Sequence, residues 1–71
     1  MFVIYTKPNC PFCVKAKRLL DGEMEDYIER DISNTDYRKE LLKLRPEAKT
    51  VPQIFRLAPI GGYEDLEKEF D

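Results

Sequence analysis

Hydrophobic positions along this 71-residue chain come in short runs of two periods, and the order of those runs outlines a fold. Phe2 to Thr6 is apolar, aromatic or β-branched throughout, which predicts a strand buried on both faces at the centre of a sheet. Lys7-Pro8-Asn9 then reads as a turn. From Val14 to Leu20 the period lengthens, because Cys13, Ala16 and Leu20 stand at i, i+3 and i+7, the spacing of one buried helix face. Pro11 suits the first helical position and Gly22 is the expected stop. Met24 to Ile32 predicts a second strand whose mix of Ile28, Arg30 and Ile32 suits a sheet edge. Two strands joined by a helix run parallel in a right-handed unit. Ser33-Asn34-Thr35-Asp36 is rich in capping residues, and Tyr37, Leu41 and Leu44 follow at i, i+4 and i+7, giving a second helix ended by Pro46.

Thr50-Val51-Pro52 opens a third run, Ile54-Phe55-Arg56-Leu57. A proline there is confined to an edge, a strand start or a turn, sometimes with a cis bond. After a turn at Ala58-Pro59, Ile60 leads into Gly61-Gly62, which open a last helix with Tyr63, Leu66 and Phe70 inward. No repeat, linker or low-complexity tract interrupts the pattern, so residues 1–71 are expected to form one domain.

Composition narrows the chemistry. An apolar share of 42% argues for a folded chain even though 37% of residues are charged. The apolar runs are all short and residues 1–6 lack a basic leader, so a soluble, cytoplasmic protein without membrane association is expected. Net charge is only −2, but its distribution is uneven. Residues 1–20 carry Lys7, Lys15, Lys17 and Arg18 and no acid, whereas residues 63–71 carry Glu64, Asp65, Glu67, Glu69 and Asp71 against Lys68 alone. The basic residues form no long stripe, which disfavours nucleic acid as a partner. They are either a solvated helix face or a field that attracts anions.

Two cysteines and no histidine leave few options. A mononuclear structural zinc site needs four ligands and the usual cysteine hydrolase needs a histidine base, so no metal is expected. The cysteines are Cys10 and Cys13 of Cys10-Pro11-Phe12-Cys13. On a helical first turn, positions i and i+3 share a face, so the two sulfurs can meet as a disulfide. Cys10 falls at the helix N-terminus, where unpaired N–H groups and the helix dipole favour a thiolate. The periodicity turns Cys13 inward and leaves Cys10 at an exposed tip. A disulfide across two residues closes too short a loop to stabilise the fold much, which favours a catalytic pair.

A strand, a CPFC at a helix start, Thr50-Val51-Pro52 before a third strand, and Gly61-Gly62 followed by acids resemble, in this order and spacing, the glutaredoxins, over essentially the whole chain. The short length and the Ile60-Gly61-Gly62-Tyr63 ending look most like small dithiol members from bacteria and bacteriophages. The resemblance implies a thioredoxin-like α/β fold: a four-stranded mixed sheet of order 2-1-3-4 flanked by three helices. It implies a glutathione-dependent disulfide oxidoreductase with Cys10 as nucleophile, Cys13 as resolving cysteine and glutathione as co-substrate.

Carried over by position, Phe12 stands where tyrosine is common and can cover the glutathione sulfur. Thr50 and Val51 match the segment whose backbone pairs with the cysteinyl unit of glutathione, and Pro52 matches a cis-proline. Lys7 and Lys49 match basic contacts to glutathione, with Lys7 also favouring the thiolate. Gly62, Tyr63, Glu64 and Asp65 match the segment that holds the γ-glutamyl end. Acids at a helix start also act as caps, so Asp65 carries two readings. The turn between the third and fourth strands lacks the family's usual Asn-Gly, which predicts a vestigial last strand.

The implied partners are glutathione and disulfide-bearing proteins, ribonucleotide reductase among the candidates, and a monomer is expected. Two other activities fit the same motif. One is a thioredoxin-like hydrogen donor for ribonucleotide reductase recycled by thioredoxin reductase. The other is a glutathione-ligated iron-sulfur carrier, disfavoured by the rigid Pro11.

Overall fold

The computed structural model describes residues 1–71. In chain order the elements are β1 (Phe2–Thr6), α1 (Pro11–Gly22), β2 (Tyr27–Asp31), α2 (Thr35–Leu44), β3 (Gln53–Arg56), β4 (Ala58–Gly61) and α3 (Tyr63–Glu69). The strands form one sheet of order β2-β1-β3-β4. β1 pairs in parallel with β2 and antiparallel with β3, and β3 pairs antiparallel with β4. The mixed 2-1-3-4 sheet and three helices expected from the sequence are therefore present. No helix is long and apolar enough to cross a membrane.

β1 is central because its side chains are hydrophobic on both faces. Phe2 and Ile4 pack with Ala16, Leu20, Ile54 and Leu66 in a fully buried cluster, to which Leu19, Tyr27, Ile60, Tyr63 and Phe70 add partly buried area. Burying a side chain the size of Leu20 or Phe2 stabilises the fold by about 1.5–3 kcal/mol. On the opposite face, Tyr5 meets Phe55 edge-on at 5.5 Å between ring centres. Its hydroxyl donates to Glu40 of α2, and Arg30 of β2 closes the group by pairing with Glu40 and donating to the Tyr5 oxygen.

Four local features differ from the sequence expectation. β2 begins at Tyr27 rather than Met24, because the intervening residues close α1: Met24 adopts φ 56° and the Glu25 N–H returns to the Leu20 carbonyl at 2.9 Å. Gly22 accordingly lies inside the helix. On α2 only Leu41 is buried, while Tyr37 is about one-third exposed and Leu44 about half exposed. β4 is a full four-residue strand, reached by a turn in which Leu57 takes φ 66°.

Candidate active site

The strand-to-helix junction after β1 sets out the reactive pair. Cys10 is the N-cap of α1 and Pro11 opens the helix, as the missing proline N–H allows. Cys10 and Cys13 form a disulfide with 5.2 Å between Cα atoms. The Cys13 N–H donates to Cys10 Sγ at 3.2 Å. In the reduced protein this donor, the helix dipole and a first turn free of acids all favour a Cys10 thiolate. Cys13 is buried, as expected, but so is Cys10, at 7% exposure. The exposed tip predicted for Cys10 is covered by the chain before β3: its Sγ lies 3.7 Å from the Val51 carbonyl oxygen.

That chain segment is the centre of the site. The Val51–Pro52 bond is cis. Val51 belongs to no strand, and neither its N–H nor its carbonyl makes a backbone hydrogen bond within the chain. Gln53 steadies the segment, its Nε2 donating to the Thr50 carbonyl at 3.0 Å, and its Oε1 is buried without a partner.

On one side of Val51 lies a groove of about 490 Å³ lined by Phe12, Arg45, Thr50, Val51, Pro52, Gln53, Gly61, Gly62, Tyr63, Glu64 and Asp65. Phe12 is half exposed, with its ring 6.0 Å from that of Tyr63 and Lys15 Nζ 5.0 Å from its centre. Gly61 holds φ 122°, and a Cβ there would run into the Asp65 carboxylate. That carboxylate accepts the Gly62 N–H at 3.1 Å, so Asp65 caps α3 while also lining the groove. Arg45 contributes one N–H to Glu47 at 2.9 Å, and the contact, after Glu47's own backbone N–H, holds that carboxyl below the ordinary carboxylate range.

On the other side of Val51 is a smaller cleft, about 260 Å³, lined by Lys7, Ile32, Arg38, Leu41, Leu42, Ala48, Lys49, Thr50 and Val51. The ten residues that the resemblance assigns to glutathione are thus divided. Phe12, Pro52, Gly62, Tyr63, Glu64 and Asp65 line the groove, Lys7 and Lys49 line the cleft, and Thr50 and Val51 lie between.

Sequence reasoning missed Arg38, Arg45 and Gln53. Arg38 had a signal, standing three residues before Leu41 on the same helix face. Arg45 and Gln53 had none beyond their nearness to Pro46 and Pro52. No cluster of three or more His, Cys, Asp or Glu side chains is arranged for a metal ion.

A thioredoxin-like sheet with a helix-capping CxxC beside a cis-proline segment defines the class of thiol–disulfide oxidoreductases. Within it, residues 2–61 match the Glutaredoxin family model, and this chain belongs to that family. It is 42% identical to Glutaredoxin 1 of Rickettsia felis, over 94% of this chain and 72% of that protein. Glutaredoxin 1 of Francisella tularensis, solved with cacodylate, superposes with a TM-score of 0.80 at 29% identity, covering 99% of this chain and 91% of that one. A buckwheat glutaredoxin solved as a glutathione complex has the same fold, with a TM-score of 0.82 at 23% identity over 97% of this chain and 66% of that one.

Proposed function

We propose that the protein reduces glutathione mixed disulfides and protein disulfides, with glutathione as its reductant. The observation that carries this reading is the free Val51 backbone beside Cys10, flanked by two differently charged recesses. Glutathione is a short peptide with an ammonium and a carboxylate at its γ-glutamyl end and one carboxylate at its glycyl end. The groove, lined by Arg45 together with Glu64 and Asp65, suits the zwitterionic end. The cleft edge with Lys7 and Lys49 suits the glycyl carboxylate. Between them the cysteinyl unit would pair with Val51 and bring its sulfur to Cys10, while Phe12 and Tyr63 shield it. Glutathione is what the buckwheat relative holds in its solved complex.

In the reduced protein the Cys10 thiolate attacks the glutathione sulfur of a mixed disulfide. A Cys10–glutathione bond forms and the substrate leaves as a thiolate. A second glutathione then attacks that bond and departs as glutathione disulfide, regenerating Cys10. Alternatively Cys13 attacks Cys10 Sγ, expels glutathione and leaves the Cys10–Cys13 disulfide seen here, which glutathione later reduces. Efficient exchange needs a thiolate that is populated at neutral pH yet still nucleophilic, which a moderate set of helix-end donors provides.

Substitution separates the two cysteines. Cys10→Ser should abolish turnover of both substrate classes. Cys13→Ser should spare glutathione mixed disulfides and lose the dithiol route to protein disulfides. Equal loss on both substrates in both variants contradicts the mechanism.

A further inference from the structure

The cleft beyond Val51 offers more than glycine can use. Its rim carries Lys7, Arg38 and Lys49, and no acid lines it. Its walls include Ile32, Ala48 and Leu42, and Leu42 remains 46% exposed. The glycyl end of glutathione brings one carboxylate and no side chain. Three cations and an apolar wall would then be met by a single negative charge, leaving the wall wet. Thr50 and Val51 are shared with the groove, and the Val51 carbonyl is 3.7 Å from Cys10 Sγ. A chain whose cysteine sits at Cys10 therefore enters the cleft with the residues that follow that cysteine, each spanning about 3.3–3.6 Å when extended.

We propose that the cleft selects protein substrates, binding the segment on the C-terminal side of the target cysteine when it carries an acidic residue followed by an apolar one. The inference rests on the glutathione reading, because that reading sets the direction of the bound peptide across Val51. The acid pairs with the rim cations and the apolar side chain covers Leu42. Attack by Cys10 on the substrate cysteine forms a Cys10–substrate disulfide and releases the other half of the disulfide as a thiolate. Cys13 then attacks Cys10 Sγ and frees the substrate thiol.

The test uses the full chain with Cys13→Ser, which stops the reaction at the Cys10–substrate disulfide. End-blocked peptides containing Cys-Glu-Leu, Cys-Glu-Ser, Cys-Lys-Leu or the reversed order Leu-Glu-Cys are each presented as mixed disulfides with 2-mercaptoethanol. Adduct formation is followed by mass spectrometry, with the glutathione–2-mercaptoethanol disulfide as reference.

Cys-Glu-Leu should form its adduct about two- to fivefold faster than Cys-Lys-Leu, the scale of an exposed ion pair, and faster than the reversed sequence. Adding Leu42→Ser should erase the advantage of Cys-Glu-Leu over Cys-Glu-Ser and leave the glutathione reference unchanged. Rates within twofold across the peptides, with glutathione still fast, overturn the cleft assignment alone. Equal rates for the two sequence orders reduce the effect to long-range attraction and also overturn it. A glutathione reference no faster than the peptides overturns the underlying glutathione reading.

Discussion

Two backbone positions show how single residues set local geometry. Gly61 holds φ 122° with no room for a Cβ beside Asp65, so Gly61→Ala should destabilise the fold by about 1–3 kcal/mol and disturb the groove edge. Leu57 is the converse case: a fully exposed side chain at φ 66°. Nothing packs on it to offset the left-handed conformation, so Leu57→Asn should raise stability by about 0.5–1 kcal/mol in urea unfolding. A lower midpoint would show that Leu57 has contacts in solution. The same residue explains why β4 was poorly legible. A leucine gives no turn signal, so the sequence around Ala58-Pro59 predicted a vestigial strand where a regular one forms. Cys13, Ala16 and Leu20 were legible because a helix stripe needs only spacing, whereas the burial of Cys10 depends on Val51, 41 residues away, which spacing does not report.

At the scale of elements, α2 is held by one buried side chain together with a set of polar contacts. Leu41 is its one buried side chain, and Glu40 ties it to Tyr5 and Arg30. The Tyr5 hydroxyl first, and Arg30 second, hold the Glu40 carboxyl below its ordinary range, while burial pushes the Tyr5 phenol up. A carboxyl lowered in the folded state stabilises fully above its unfolded pKa, about 4.3. That contribution is lost as pH falls through the lower folded value. Glu40→Gln should therefore lower the melting temperature at pH 7 and narrow the gap to wild type in acid; a gap that stays constant from pH 7 to pH 3 contradicts the linkage. Tyr37 and Leu44 looked like core in the sequence because their period is helical, but period does not tell how much of a face a sheet can cover.

Over the whole molecule, charge and topology converge on one end of the sheet. β1 and β3 bring the loops after Thr6 and before Gln53 together, so Cys10, Val51 and the rim cations Lys7 and Lys49 meet there. Of the acids of residues 63–71, Glu64, Asp65, Glu67 and Glu69 fall on α3 and Asp71 follows it; Asp65 caps the helix, and Glu64 and Asp65 line the groove. With the rim cations Lys7 and Lys49 drawing in the glycyl carboxylate as proposed above, kcat/KM for a glutathione mixed disulfide should fall several-fold as salt rises from about 0.05 to 0.5 M. A salt-independent value would remove the rim cations from substrate capture. The central claim, that glutathione is the reductant, is tested most directly by NADPH consumption with a small glutathione mixed disulfide. Glutathione plus glutathione reductase is compared with thioredoxin reductase alone. The account predicts rapid turnover with the glutathione system and little without it. Turnover sustained by thioredoxin reductase alone would contradict it, keeping the fold and both cysteine roles but removing glutathione from the two recesses beside Val51.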